Sequence, residues 1–173
     1  MGTQLIICVE TNKRNRSDYM YIKSTIDHFY HLDQANIKLS PIYMDGKGNY
    51  TSKKVKKEIE TDIKQYHAAS PNNKSVVIIC LDCDDYDIKP EDERFISEAR
   101  DYCKQNHFRF VWFCKDIERV FIGNKVSDSM KKKEAETFLK KKKILQVNEQ
   151  HLRALNYQNM RSNICCVLDD YLK

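Results

Sequence analysis

The chain has few of the residues that mark fibrous, disordered or loop-rich proteins. Among 173 residues there are 4 glycines and 3 prolines, whereas 41% are hydrophobic and 32% are charged. This composition excludes the collagen-like and disordered classes and predicts a folded protein. A chain of this length can bury a substantial core without disulfide bonds. We therefore expect a single domain over residues 1–173, with an α/β core over 1–123 and a helical C-terminal extension over 124–173.

Long apolar runs and leader-like features are also missing. No stretch is long enough to cross a bilayer, and no secretory leader precedes the first apolar segment. The 7 cysteines lie mostly inside apolar runs, where a thiol behaves as a small hydrophobic group. A Walker phosphate loop is absent, because Lys47 lacks the required Gly-x4-Gly-Lys-Ser/Thr spacing. We expect a reducing, cytoplasmic location and no membrane partner.

The most informative stretch is an apolar run that ends in a set of carboxylates. Residues 76–81 are Val-Val-Ile-Ile-Cys-Leu, and Asp82, Asp84, Asp85 and Asp87 follow directly. A buried parallel strand has this continuous apolar character, and its carboxyl end is where open α/β sheets bind ligands. Neighbouring carboxylates repel one another, and a divalent cation relieves the repulsion. The sequence therefore predicts a Mg²⁺ or Mn²⁺ site after this strand.

Three further apolar runs predict strands, and helical patterns separate them. The first strand covers residues 4–9 and ends at Glu10, the second covers 36–44 and the fourth covers 108–114. Pro41 favours an edge position for the second strand. Alternating strands and helices predict an α/β, Rossmann-like fold with a central, mainly parallel four-stranded sheet flanked by helices. The helical patterns cover residues 17–31, 52–66, 90–105, 116–122, 129–142 and 149–155, with a last helix after Asn163.

The order of these acids resembles the signature of the Toprim fold. Toprim domains, found in topoisomerases, primases and nucleases, carry a glutamate after the first strand and an Asp-x-Asp after a later one. Here these residues are Glu10, Asp82 and Asp84. The loop at 45–49 and the segment at 162–169 add a similarity to the short RloB-like and abortive-infection (OLD-type) Toprim proteins of prokaryotic defence loci.

The resemblance implies a Mg²⁺-dependent nuclease that cleaves DNA or RNA in antiviral defence. Magnesium held by carboxylates would position the phosphodiester and neutralise its developing charge. The implied partners are a nucleic acid, a protein such as an ATPase subunit, or a second copy of the chain. The candidate catalytic residues are Glu10, Asp82, Asp84 and Glu118. The candidate metal ligands are Glu10, Asp82, Asp84 and Asp85. The candidate phosphate contacts are Lys13, Arg14, Arg16, Lys47 and Arg119.

Several alternatives remain open at this point. Thr11 stands where many Toprim domains have glycine, which leaves room for a non-catalytic module that binds nucleic acid or a protein through its lysine-rich helices. A receiver-like phosphoacceptor domain also gathers aspartates, although its acidic pair should follow the first strand. The motif Cys80-Leu-Asp-Cys83 has the C-x-x-C spacing of zinc and redox sites, but it spans a strand end. Asp82 and Asp84 would also suit a strand end followed by an ordinary acidic turn.

Overall fold

The structure, a computed structural model, describes residues 2–173. It contains one sheet of five strands in the order β2-β1-β3-β4-β5. The first four strands are mutually parallel, and the fifth runs antiparallel to its neighbour. The predicted α/β class with a mainly parallel, helix-flanked sheet is confirmed. The strands are β1 (Thr3–Val9), β2 (Ile37–Tyr43), β3 (Lys74–Asp82), β4 (Arg109–Cys114) and β5 (Arg161–Ser162).

Six α-helices connect or follow these strands. Local sequence explains several of their ends, since Pro90 occupies the first turn of its helix and Asp116 accepts a hydrogen bond from the backbone N–H of Arg119. Three short 3₁₀ segments at Lys47–Thr51, Lys143–Gln146 and Glu149–Leu152 complete the chain. The helices are α1 (Ser17–Phe29), α2 (Lys53–Ala69), α3 (Pro90–Gln105), α4 (Ile117–Ile122), α5 (Lys131–Lys140) and α6 (Ile164–Leu168).

The two faces of the sheet carry two apolar cores. Alternate residues of β1 point to opposite sides, so that Leu5 and Ile7 join one core while Ile6 and Cys8 join the other. The first core lies under α1, α4, α5 and α6, and the second lies under α2 and α3. Phe138 of α5 is fully buried in the first core, so the C-terminal part packs against the same sheet as the N-terminal part.

Three details differ from the sequence prediction. A fifth strand is present because Arg161 and Ser162 pair with the end of β4, a contact too short to leave an apolar pattern. The predicted helix at 149–155 is only a 3₁₀ turn over Glu149–Leu152. The helix predicted from residue 52 begins one residue later, because Ser52 caps α2 by accepting the N–H of Val55 at 3.2 Å.

Pro41 lies in β2, which forms one edge of the sheet as predicted. None of the helices within residues 2–173 has the length and apolar character needed to cross a membrane.

Candidate active site at the carboxyl edge of the sheet

The strand order creates a crevice between β1 and β3. From β1 the chain passes to β2 on one side of it, whereas β3 and β4 lie on the other side. Such a reversal is a topological switch point, and open α/β sheets bind ligands beyond the carboxyl ends of the strands at this place. Glu10 follows β1 and Asp82 ends β3, so both stand at the switch point. The side chain of Glu10 accepts the backbone N–H of Asp82 through Oε1 at 2.6 Å.

Asp82 is buried, with 8% of its surface exposed. Its Oδ1 accepts the backbone N–H of Ile117, the first residue of α4, at 2.9 Å. The carboxylate therefore joins the end of β3 to the start of the helix that follows β4. This contact also brings the neighbouring Glu118 to the same edge of the sheet.

Glu118 is even more deeply buried, at 1% exposure. Its Oε1 has no hydrogen-bond partner among residues 2–173, and its Oε2 lies 3.9 Å from Nζ of Lys131 at the start of α5. An unpartnered carboxylate oxygen in the interior is costly unless it is protonated or meets a cation. Glu118 is thus an incompletely satisfied member of the site.

A fourth acid, Asp18, was not among the predicted site residues. It lies in the first turn of α1 with 7% exposure, and it accepts the backbone N–H of Thr11 at 3.1 Å. Its position suits the helix N-terminus, so its residue type gives no separate sign of a site role. Only the packing of α1 against the sheet shows that its charge acts on Glu10 and Asp82. We call Glu10, Asp18, Asp82 and Glu118 the buried acidic cluster.

Burial and mutual repulsion disfavour ionisation throughout this cluster. Burial, followed by the charge of Asp18, raises the pKa of Glu10 to about 8. Burial likewise raises the pKa of Glu118 to about 7, and it raises the pKa of Asp82 well above its usual range with Glu10 as the next cause. Burial also raises the pKa of Asp18, against the hydrogen bond from Thr11.

Lys131 supplies positive charge to the cluster. Burial alone would lower the pKa of this lysine, but the carboxylates, chiefly Glu118 and then Asp82, more than offset burial and raise it. In the sequence, Lys131 is one of many lysines in a segment that is typical of a solvated helix face. Its contact with the acids could therefore not be predicted from the sequence. In the fold its side chain turns inward and partly neutralises Asp18, Asp82 and Glu118.

The acids that follow Asp82 occupy a different environment. We call Asp84, Asp85, Asp87 and Asp92 the acidic loop. Asp84 is paired with Lys47, whose Nζ also lies 3.4 Å from Oδ1 of Asp92. The same ammonium stands 4.7 Å from the ring centre of Phe95. Lys47 is therefore engaged by the acidic loop, and a phosphate could reach it only by displacing these carboxylates.

Asp85 and Asp87 are held by two further lysines. Nζ of Lys89 lies 2.9 Å from Asp85, and Nζ of Lys115 lies 3.4 Å from Asp85 and 3.1 Å from Asp87. The hydrogen bond from Lys89 is the main cause that lowers the pKa of Asp85. The predicted ligands Asp84 and Asp85 thus form ion pairs with lysines. The carboxylate of Glu10 instead accepts the backbone N–H of Asp82.

The five predicted phosphate contacts divide into two groups. Lys13, Arg14 and Arg16 lie in the loop after β1 and line one cleft. Lys47 and Arg119 are instead paired with carboxylates of the chain. Only the first group is available to an external anion.

The donor chemistry of the buried acidic cluster suits a hard cation, because every member offers carboxylate oxygens and Oε1 of Glu118 has no partner. Within residues 2–173, however, no three Asp, Glu, His or Cys side chains are already arranged as ligands around one point. Metal binding would require these side chains to converge further. The C-x-x-C motif forms no zinc-like pair, since Sγ of Cys83 lies 2.9 Å from Sγ of Cys114 on the neighbouring strand.

Comparison with known proteins does not place the chain in a family. No family model matches it, and no curated protein or solved structure matches it either. The Toprim resemblance therefore depends on the sequence motifs, and the function has to be inferred from the site itself.

Proposed function

We propose that the protein is a Mg²⁺- or Mn²⁺-dependent phosphodiester hydrolase that acts on nucleic acid at the buried acidic cluster. The observation that carries this proposal is the meeting of Glu10 and Asp82 at the topological switch point, where open α/β sheets bind ligands. Four carboxylates gather there, with Lys131 as the main compensating cation of Asp82 and Glu118 and with Lys47 acting on Glu10. A divalent cation would relieve the remaining repulsion.

Each carboxylate has a distinct part in this proposal. Glu10 and Asp82 each use one oxygen for a backbone N–H and offer the other to a metal. Glu118 offers its unpartnered Oε1, and Asp18 adds negative charge from the helix side. Asp84 and Asp85 become ligands only if they exchange their lysine partners for the metal. A bound Mg²⁺ supplies charge stabilisation and lowers the pKa of a coordinated water.

Glu10 is also the proposed proton acceptor. Its pKa of about 8 keeps it mostly protonated at neutral pH without metal, so it would accept a proton from an attacking water only when a bound cation favours its ionised form. The resemblance extends the proposal to prokaryotic antiviral defence in the cytoplasm and to an ATPase-type partner or a second copy. These extensions depend on the motifs alone.

A metal titration tests the proposal directly. Calorimetry with Mg²⁺ and Mn²⁺ would compare the wild type with Glu10→Gln/Asp82→Asn and with the matched control Asp87→Asn/Asp92→Asn, which removes two carboxyls from the acidic loop. We expect binding in the wild type and the control and none in the cluster variant, with all three folded by circular dichroism. Absence of binding in the wild type, even with an oligonucleotide present, would overturn the proposal.

Cleavage assays complete this test. Single- and double-stranded DNA and RNA, each labelled at one end, would be incubated with the same three proteins with and without the metal. Metal-dependent cleavage in the wild type and the control, and its loss in the cluster variant, is the expected result. Beryllium fluoride, titrated in the same calorimeter, tests the receiver-like alternative through uptake at Asp82.

A second candidate is a non-catalytic nucleic-acid-binding module. It is favoured by the structural use of Glu10 and Asp82, since each carboxylate already caps a backbone N–H. In this case the hydrogen bonds of the Glu10 and Asp82 carboxylates stabilise the ends of the strands, and the site needs no metal. Nucleic-acid binding that persists in EDTA, without metal uptake or cleavage, would select this candidate.

A further inference from the structure

A cleft of about 760 Å³ opens beside the buried acidic cluster. Its walls come from the loop after β1, from the carboxyl end of β2 and from α2. The volume falls within the usual range of small-ligand sites. The lining residues are Asn12, Lys13, Arg14, Arg16, Pro41, Tyr43, Asp45, Lys54 and Glu58.

The cations of this cleft are uncompensated. Among residues 2–173, Lys13, Arg14, Arg16 and Lys54 take part in no ion pair. Their positive charge exceeds the negative charge of the two acids in the lining. The lysines of the acidic loop are bound to aspartates, whereas the cations of the cleft have no such partner.

An aromatic ring forms part of the same wall. Tyr43 ends β2 and packs edge-to-face against Tyr19 of α1, with ring centres 6.4 Å apart and an interplanar angle of 82°. This contact fixes the ring, while the side chain remains partly exposed to the cleft. A fixed aromatic ring next to free cations is the combination with which proteins bind unpaired bases and their phosphates.

The cleft and the buried acidic cluster share one stretch of backbone. The loop that carries Lys13, Arg14 and Arg16 runs from Glu10 to Ser17, and the N–H of Gly46 at the end of β2 donates to the carbonyl oxygen of Glu10 at 2.8 Å. Two walls of the cleft are therefore connected to Glu10, one by the chain itself and the other by this hydrogen bond. The cleft is thus linked to the buried acidic cluster through the backbone of Glu10.

We propose that this cleft binds an unpaired nucleotide, with its phosphates on Lys13, Arg14 and Lys54 and its base against Tyr43. The inference deepens the proposed function and rests on it for the step that follows binding, because it makes single-stranded nucleic acid the substrate class. The binding itself needs no metal. The nucleotide can belong to a strand or be free, and both sources present the same base and phosphate.

Fluorescence anisotropy in EDTA tests the binding. The probe is a short labelled oligothymidylate, with the blunt duplex of the same length and thymidine 5′-monophosphate as competitors. We expect Tyr43→Leu to weaken binding about tenfold and Tyr43→Phe, which keeps the ring, to bind within about twofold of the wild type. Preferred competition by the monophosphate would assign the cleft to free nucleotides, and preferred competition by unlabelled single strand would assign it to strands.

Charge removal gives a second readout. Lys13→Gln/Arg14→Gln/Lys54→Gln should lower the salt dependence of binding by about 2 in log–log slope, since each single-strand phosphate contact contributes about 0.7. Lys132→Gln/Lys133→Gln/Lys140→Gln removes the same charge from exposed positions of α5 and should leave the slope unchanged. Arg16 stays intact because its Nε donates to the carbonyl oxygen of Lys13 and so shapes the loop.

The cleft proposal and the hydrolase proposal can be refuted independently of each other. An equal loss of binding in the α5 variant, tighter binding of duplex than of single strand, or full affinity in Tyr43→Leu would overturn the cleft proposal. Metal uptake at the buried acidic cluster would survive each of those results. Conversely, tight single-strand binding in EDTA without metal uptake would leave the cleft proposal standing and remove the hydrolase.

Discussion

The buried acidic cluster and the acidic loop lie at the same sheet edge, and Asp82 of the cluster comes just before the loop in sequence, yet their chemistry is opposite. In the cluster, burial raises the pKa of Glu10 to about 8. In the loop, the lysines lower the pKa of Asp85. The first region disfavours its own negative charge, and the second holds it in lysine ion pairs. A row of acids in sequence is therefore not one functional unit, because burial and lysine partners separate its members.

The first test asks which of the two regions binds metal. Asp82→Asn should reduce Mg²⁺ affinity by about 100-fold or more, because it removes a ligand with which no lysine forms a direct ion pair. Asp84→Asn should change the affinity by less than about threefold, since Lys47 already occupies that carboxylate. Calorimetric titration measures both. A larger loss in the Asp84 variant would move the site to the acidic loop.

The second test is the pH dependence of stability without metal. Carboxyls whose pKa values are raised by folding stabilise the protein fully below their unfolded values, and this contribution is lost as pH rises through the folded values. For Glu118 and Glu10 the folded values are about 7 and about 8. The free energy of unfolding in urea should therefore fall by about 6 kcal/mol between about pH 5 and pH 8, with the larger share from Glu10.

Glu10→Gln serves as the control for that experiment. Glutamine keeps an oxygen for the N–H of Asp82 but does not ionise, so the slope above neutral pH should become shallower. Addition of Mg²⁺ to the wild type should restore stability at the alkaline end, because the metal favours the ionised acids. Stability that increases with pH over this range would contradict the raised pKa values.

The third test removes the cation of the cluster. Lys131→Met should destabilise the protein by about 2 kcal/mol at pH 8, because Glu118 and Asp82 lose the charge that offsets theirs. The loss should be smaller at pH 5, where the acids are protonated. Adding Glu118→Gln to Lys131→Met should recover part of the stability. Purely additive effects in this double-mutant cycle would show that the two side chains are uncoupled.

The smallest effect is expected in the acidic loop. Asp87→Asn removes an exposed partner of Lys115 and should change the free energy of unfolding by less than about 0.5 kcal/mol. Urea denaturation at neutral pH measures this. A loss above about 1 kcal/mol would mean that the loop contributes to stability as strongly as the cluster.

Much of the fold could be predicted because its signals are local. The apolar runs gave β1, β3 and β4, and Pro41 placed β2 at the edge. The contact between Glu10 and Asp82 has a simple cause. β1 and β3 are neighbouring parallel strands, so their carboxyl ends lie side by side at one edge of the sheet. β5 was missed, because two residues paired across a sheet edge leave no periodic pattern.

The remaining site features depend on contacts between distant segments. Asp18 could be recognised only as a helix-start residue, and Lys131 only as one of many lysines, until packing brought α1 and α5 to the same edge. The pairing of Asp84 with Lys47 joins residues that lie far apart in sequence. Residue types alone give no means of choosing which lysine meets which aspartate.

The edges of the sheet bear on how the protein can associate with other chains. An open strand edge is a template for β-pairing with another molecule. Here one edge strand carries Pro41, which lacks a backbone donor, and also the exposed Lys38, while the other edge strand is only two residues long. Both ends of the sheet therefore discourage the addition of a foreign strand. Helices and loops are therefore the surfaces that the fold leaves open to a partner, and strand addition at the sheet edges is disfavoured.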